Sequence, residues 1–141
     1  MIAPHSVIRW SDALLVGVAF VDTDHHEAVE TMNRLAALAV TQPGSESLRA
    51  EFTGFLRHCE EHFAREEAMM REVGFFALEP HQGEHERVVA ELRAVLADLD
   101  AGRDRRDYFT DALPQWFLDH RATMDFVTAQ FALQRGYGLS P

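Results

Sequence analysis

The sequence has little cysteine, little positive charge and no long apolar run, and each shortage excludes a class of protein. Cys59 is the only cysteine in 141 residues, so no disulfide can form within the chain, and a reducing cytoplasm is the expected location. Lysine and arginine total 13 against 23 acidic residues, a formal net charge of −10. Such a charge makes nucleic-acid phosphates and anionic membranes poor partners. The longest apolar run, which contains residues 14–21, is far shorter than the roughly 20 residues that span a bilayer.

The first residues also lack the pattern of a secretory signal. Residues 1–5 (Met-Ile-Ala-Pro-His) show no basic start leading into an apolar segment and a small-residue cleavage site. The length and the 47% hydrophobic content suit one globular domain with a substantial core. We therefore expect a single domain over residues 1–141.

Turn-forming residues divide the chain into an N-terminal arm and four helices. Residues 1–20 lack helical periodicity and predict an extended arm, anchored by Trp10, Leu14, Leu15 and Val18. The bundle is expected over about 21–134, with helices predicted over about 22–40, 46–73, 80–100 and 104–134. The short links between helices favour an all-α, up-down-up-down antiparallel four-helix bundle. Pro114 lies inside the fourth helix and predicts a kink there or a separate short helix before it.

Histidine is the residue in excess, with eight in the chain. Five histidines and two acids lie on the predicted helices, one group per helix: His25; His62 and Glu66; His81 and His85; His120 and Asp125. Helical phase places His25 on an apolar stripe with Ala28 and Val29, whereas His26 falls in line with Glu30. The pairs on the second and third helices are each four residues apart and so share a face. A four-helix bundle would bring all seven side chains to one interior point.

Each group alone has an ordinary interpretation. A single histidine on an apolar face is commonly a core residue, and a histidine four residues before a carboxylate is commonly a surface pair. Burying five imidazoles and two carboxylates together without compensation would cost many kcal/mol, because each unpaired buried charge costs several. Two divalent cations that share carboxylates account for seven ligands, which are too many for one ion.

The spacing of His120 and Asp125 needs a local change in the helix. Five residues at about 100° each leave the two side chains about 140° apart on a regular α-helix. A π-type turn between them, near Ala122, would bring them to one face, and such turns often occur at functional sites.

A longer pattern surrounds these residues. It comprises Val16-Gly17-Val18, Val21-Asp22-Thr23-Asp24-His25, Asn33 with Leu35, His62-Phe63-Ala64-Arg65-Glu66-Glu67 with Met69, Gly74-Phe75, His81 with His85, and Trp116 before His120 with Asp125. This pattern resembles the hemerythrin family, specifically the single-domain bacteriohemerythrins, from Trp10 to about Phe131.

The resemblance implies a non-heme di-iron centre. His81, His85 and His120 would hold one iron, and His25 and His62 the other. Glu66 and Asp125 would bridge the two irons together with a solvent-derived oxo or hydroxo group, and dioxygen would bind at an open position of the second iron. Ligand type alone leaves iron, zinc and copper open, and the resemblance selects iron.

Three residues depart from the family pattern near the expected dioxygen pocket, which would also include Trp116. His58 stands where relatives usually have tyrosine, Ala28 where they have leucine or isoleucine, and Phe117 where they often have leucine. These changes are either ordinary core variation or a reshaped pocket, with the His58 imidazole offering a hydrogen bond.

The leading functional hypothesis is reversible dioxygen binding for storage, delivery or scavenging, without catalysis beyond a weak oxidoreductase side activity. Five neutral imidazoles donate less charge than a carboxylate-rich set, which favours release of dioxygen over cleavage of its O–O bond. The alternatives are an oxygen or redox sensor acting through a separate partner, a di-iron nitric oxide or peroxide reductase, and a zinc-bound structural bundle. Nothing in the sequence identifies a protein partner, whether a dioxygen-consuming enzyme or a signalling protein.

Overall fold

A computed structural model describes residues 6–138, and every regular element within that range is helical. Four helices form a bundle: α1 (Ala19–Thr41), α2 (Glu46–Val73), α3 (Leu78–Asp100), and a fourth helix (106–134) that contains α4 (Leu113–His120) and α5 (Phe126–Gln134). The predicted fold class is confirmed. Residues 1–5, on which the expectation about a secretory signal rests, and residues 139–141 of the expected domain lie outside the described range. No helix between residues 6 and 138 is long and apolar enough to cross a membrane.

The ends of α2 follow the sequence prediction. The Ser45 hydroxyl accepts a hydrogen bond from the backbone N–H of Leu48 at 3.1 Å, which caps the start of the helix. Gly74 ends it with φ 67°, a left-handed conformation that favours glycine. The N–H of Phe75 then bonds back to the carbonyl of Met70 at 2.9 Å, a common helix-ending arrangement.

α1 begins at Ala19, three residues before the predicted start, so that part of the arm prediction is wrong. Asp22 is of a residue type that commonly caps a helix from outside its first turn. Its carboxylate instead lies in the first turn and accepts the backbone N–H groups of Val16 and Gly17, at 2.8 and 3.1 Å. These two bonds hold the preceding loop against the helix, which therefore starts earlier.

The described part of the arm, residues 6–18, is only partly extended, because a 3-10 turn (Asp12–Leu14) interrupts it. Leu14 is buried, whereas Leu15 is 42% exposed and is not an anchor as predicted. The Asn33 side-chain amide holds the arm instead, donating to the carbonyl of Ile8 and accepting its N–H, both at 3.0 Å.

α3 begins at Leu78, two residues before the predicted start at Pro80. Pro80 still lies in the first turn, where a missing backbone N–H removes no helical hydrogen bond. The predicted start of α3 was therefore two residues too late, although Pro80 does lie in the first turn of the helix.

The fourth helix contains two π turns, Tyr108–Ala112 and Arg121–Asp125. The first ends just before Pro114, which lies in the first turn of α4, so a widened turn takes the place of the separate short helix that was considered. In the second, the N–H of Phe126 reaches back to the carbonyl of Arg121. The π turn predicted between His120 and Asp125 is confirmed.

The buried apolar residues form two clusters. The larger cluster includes Ala28, Phe63 and Phe117. The smaller cluster consists of Val16, Val18, Val21, Met69, Ala129 and Ala132. Along α1, α2 and the fourth helix, the buried histidines and acids come between members of the two clusters. The core therefore contains a polar layer.

Candidate metal centre

The seven side chains singled out by the sequence form this polar layer. Each is at most 6% exposed: His25, His62, Glu66, His81, His85, His120 and Asp125. All four helices contribute, and His26 is exposed, as helical phase predicts. The π turn makes the contribution of the fourth helix possible, since it brings Asp125 to the same face as His120.

Five of these residues converge most closely. Glu66, His81, His85, His120 and Asp125 each place one donor atom within 4.8 Å of the others. His81 Nε2 lies 3.3 Å from His120 Nε2 and 3.1 Å from Asp125 Oδ1. His85 Nε2 lies 3.1 Å from Glu66 Oε1.

The other two histidines, His25 and His62, lie next to this group on the side of the Asp125 Oδ2 atom. Asp125 Oδ1 is 2.9 Å from His120 Nε2, whereas its Oδ2 is 3.0 Å from His25 Nε2. The rings of His25 and His62 have centroids 5.3 Å apart. One carboxylate thus faces histidines on both sides.

Several donor atoms of the layer are buried without hydrogen bonds. They include the Nε2 atoms of His62 and His85 and both carboxylate oxygens of Glu66; the Nδ1 atoms of His25 and His120 are also buried and unpaired. His85 Nε2 and Glu66 Oε1 are 3.1 Å apart, yet their orientation does not satisfy a hydrogen bond. Lone pairs that approach this closely without a shared proton fit a cation between them, and imidazole with carboxylate is a donor set suited to iron or zinc.

Three imidazoles are oriented by bonds at their opposite nitrogen, Nδ1. His62 pairs with Asp24, His81 with the Thr128 hydroxyl and His85 with Glu67, each at 2.8 Å. A proton held on Nδ1 leaves the Nε2 lone pair free for a metal.

The sequence did not lead us to the three partners that orient these imidazoles. Asp24 and Glu67 appear only in the longer family pattern, without a role, and Thr128 is not singled out there. The available signal was proximity along the chain, because Asp24 precedes His25 and Glu67 follows Glu66. Arg65 also binds the Asp24 carboxylate, at 2.6 Å.

The charges of the layer compensate each other even without an ion. Burial raises the pKa of Asp24, but hydrogen bonds from His62 and Arg65 outweigh it and lower that pKa to about 2. Burial lowers the pKa of His81, but the hydrogen bond to Asp125 and the negative charges of Glu66 and Asp125 outweigh it and raise that pKa to about 9. In the metal-free layer His81 therefore keeps its added proton at neutral pH, and a cation bound there would have to displace it.

An internal cavity of about 30 Å³ adjoins His25 and His62. The four predicted pocket residues, Ala28, His58, Trp116 and Phe117, all line it. Phe117 presents its ring to His25 edge-on, with centroids 5.1 Å apart. The cavity exceeds the roughly 10–15 Å³ that one water needs, so it has room for a diatomic molecule.

His58 does not direct a ring nitrogen into this cavity. Its Nε2–H donates to the backbone carbonyl of Asp24 at 3.2 Å, and its Nδ1 faces the Glu27 carboxylate at 3.8 Å. Trp116 stacks on His120 with centroids 4.7 Å apart, and its Nε1–H donates to Glu84 at 2.8 Å. The cavity wall is therefore mainly apolar.

Known proteins resemble this chain over most of its length. The bacteriohemerythrin of Ralstonia nicotianae is 35% identical over 133 residues, covering 92% of each chain. That of Aquifex aeolicus is 28% identical, covering 88% of this chain and 96% of its own. The solved structure of wild-type hemerythrin superimposes with a TM-score of 0.82 at 22% identity, covering 89% of this chain and 97% of its own, and so shares the fold.

A family model agrees with these relatives. The model described as the hemerythrin HHE cation binding domain matches residues 16–132, which include all four helices of the bundle except the last two residues of the fourth helix. The chain belongs to the hemerythrin family.

Proposed function

We propose that this chain is a non-heme di-iron protein that binds dioxygen reversibly, for storage, delivery or scavenging, and that it is not an enzyme. The observation that carries the proposal is the placement of Asp125, whose two oxygens face His120 and His25 respectively. A carboxylate shared between two histidine groups suits two cations better than one.

The proposed ligands divide into two groups. His81, His85 and His120 would hold one iron, and His25 and His62 the other. Glu66 and Asp125 would bridge the irons, with an oxo or hydroxo group completing the centre. The buried, unpaired oxygens of Glu66 support its role, because neither has a hydrogen-bond partner in the protein.

Irons held by these residues would supply the electrons for reversible dioxygen binding, and the protein controls what surrounds them. Asp24, Glu67 and Thr128 hold protons on Nδ1 and so keep three Nε2 atoms available. Phe117 and Ala28 keep the cavity beside His25 apolar, which limits entry of water and protons. Binding without turnover is favoured by the five neutral imidazoles of the ligand set.

The decisive experiment combines metal analysis with spectroscopy. We expect two irons per chain and a visible absorption band that appears when the reduced protein meets air and disappears on deoxygenation. One ion per chain, zinc in place of iron, or a band that persists after deoxygenation would contradict the proposal. Asp125→Ala should lose iron, whereas Asp111→Ala, an exposed carboxylate of the same helix, should keep both irons.

Dioxygen is the proposed ligand, and a cytoplasmic location is proposed because Cys59 is a single free thiol. The net charge of −10 makes nucleic acid and anionic lipid unsuitable partners.

A further inference from the structure

Two spaces meet at His58, one outside the bundle and one inside. The outer groove holds about 360 Å³ between α1 and α2, and its lining residues are Glu27, Glu30, Thr31, Arg34, Ala50, Glu51, Gly54, Phe55 and His58. The inner space is the cavity of about 30 Å³ beside His25 and His62. Phe55 and His58 line both. Phe55 is 4% exposed and fixed in the core, so His58 is the movable part of the partition.

A single clear hydrogen bond holds the His58 ring in place. Its Nε2–H donates to the carbonyl of Asp24 at 3.2 Å, and its other nitrogen is 3.8 Å from a Glu27 carboxylate that is itself 61% exposed. The His58 side chain remains 24% exposed. Breaking the one hydrogen bond to the Asp24 carbonyl is enough to release the ring.

Gly54 leaves room for the released ring. It lies one turn before His58 on α2, and a Cβ added there would meet nothing within 4 Å. Helical side chains lean toward the preceding turn, so the open space lies where the ring would move. Any larger side chain at position 54 would fill this space.

The charge at the outer groove disfavours anions but not an uncharged molecule. Glu27, Glu30 and Glu51 line it, and the one cation there, Arg34, is paired with Glu51 at 2.7 Å. The excess negative charge disfavours anions and leaves a neutral diatomic molecule unaffected.

We infer that the outer groove between α1 and α2 is the entry route for an uncharged diatomic ligand, and that the His58 ring is the gate between this groove and the inner cavity. The inference rests on the proposed dioxygen binding for its ligand. The route itself depends only on the two spaces, the ring between them and the room beside Gly54.

The first test measures dioxygen association and dissociation rates on the iron-loaded protein. A gate changes the barrier to entry and exit but not the energies of the free and bound states. His58→Ala should therefore raise both rates and leave Kd unchanged. The expected increase is about five-fold, because one net hydrogen bond changes the open population by about that factor. Gly54→Leu should lower both rates. Gly83→Leu is the matched control, because Gly83 is also helical, exposed and free of neighbours within 4 Å, but lies on α3 away from the groove.

A second readout needs no dioxygen. Cys59 is buried, lines the inner cavity and is the only thiol of the chain. Burial raises the pKa of this thiol, so its methylthiolation by methyl methanethiosulfonate is slow. The rates of the variants relative to one another at a single pH, followed by mass spectrometry on the iron-loaded protein, report entry of a small neutral molecule. His58→Ala should speed this reaction, Gly54→Leu should slow it, and Gly83→Leu should match the unmodified sequence.

The two readouts separate the gate from the function. A thiol rate that follows the groove variants supports the route even if the protein binds no dioxygen, in which case the proposed function fails alone. The gate is overturned if Gly54→Leu and Gly83→Leu behave alike in both assays, or if His58→Ala changes Kd through the dissociation rate alone. That last result would mean that His58 acts on the bound ligand.

Discussion

Replacing Asp24 by asparagine should weaken the binding of one of the two proposed irons and leave the binding of the other unchanged. The Asp24 carboxylate accepts from His62 Nδ1 at 2.8 Å and from Arg65 at 2.6 Å. Asparagine keeps the size and one acceptor oxygen but removes the charge. A hydrogen bond to a charged group exceeds a neutral one by about 1.4 kcal/mol, which is about ten-fold in affinity. That value agrees with the roughly ten- to hundred-fold effect of losing such outer partners.

Glu67→Gln is the matching change on the other side of the centre. Glu67 accepts from His85 Nδ1, also at 2.8 Å, and His85 belongs to the proposed group of three histidines. The assay is iron release to a chelator, followed by absorbance. In each single variant half of the iron should leave about ten times faster than the rest. In the double variant all of it should leave fast.

The double variant tests whether the proposed division of ligands between the two irons is correct. If it still releases only half of its iron fast, Asp24 and Glu67 support the same iron and the division of ligands is incorrect. If either single variant releases all its iron fast, the two irons are not separable. Glu86→Gln, at an exposed position of α3, should release iron like the unmodified protein.

Three further changes test other parts of the structure. Deleting Ala122 removes the extra residue of the π turn and leaves His120 and Asp125 four residues apart, a spacing that a regular α-helix places on one face. Circular dichroism should therefore show intact helices and metal analysis should show both irons retained; lost iron would mean that the wide turn itself is required. In the metal-free protein the pKa of His81 is raised from 6.5 to about 9, so its stabilising effect is complete below pH 6.5 and is lost as the pH rises toward 9. The urea midpoint should fall over that window, and a rising midpoint would contradict the charge assignment. Ala28→Leu adds apolar bulk beside a cavity of about 30 Å³ and should slow oxidation of the oxygenated protein in air-saturated buffer, whereas equal or faster decay would show that the cavity is already sealed.

The parts of the fold that depend on local geometry were predictable. Helical phase alone separated buried His25 from exposed His26, and Gly74 marked the end of α2. The five-residue step from His120 to Asp125 predicted the π turn, because a fixed rotation per residue leaves no other way to align the two side chains.

The parts that depend on distant contacts were not predictable. Asp22 fits a helix cap by residue type, yet its bonds to Val16 and Gly17 move the helix start forward. Asp24 also fits a cap, but it meets His62 from another helix, 38 positions along the chain. Short polar side chains have several local partners of similar energy, so only the packed bundle decides which one they bind.

The polar layer between the two apolar clusters determines how cooperatively the bundle unfolds. The larger cluster contains most of the bulky side chains, whereas half of the smaller cluster is valine and a third is alanine. Without a cation, the clusters are joined through buried atoms that include four unpaired donors and acceptors of His62, His85 and Glu66. The end of the bundle that holds the smaller cluster can then open as a separate unit, ahead of global unfolding. The two proposed irons, which together take ligands from all four helices, would join the two halves, so that amide protons at both ends exchange only when the whole domain unfolds.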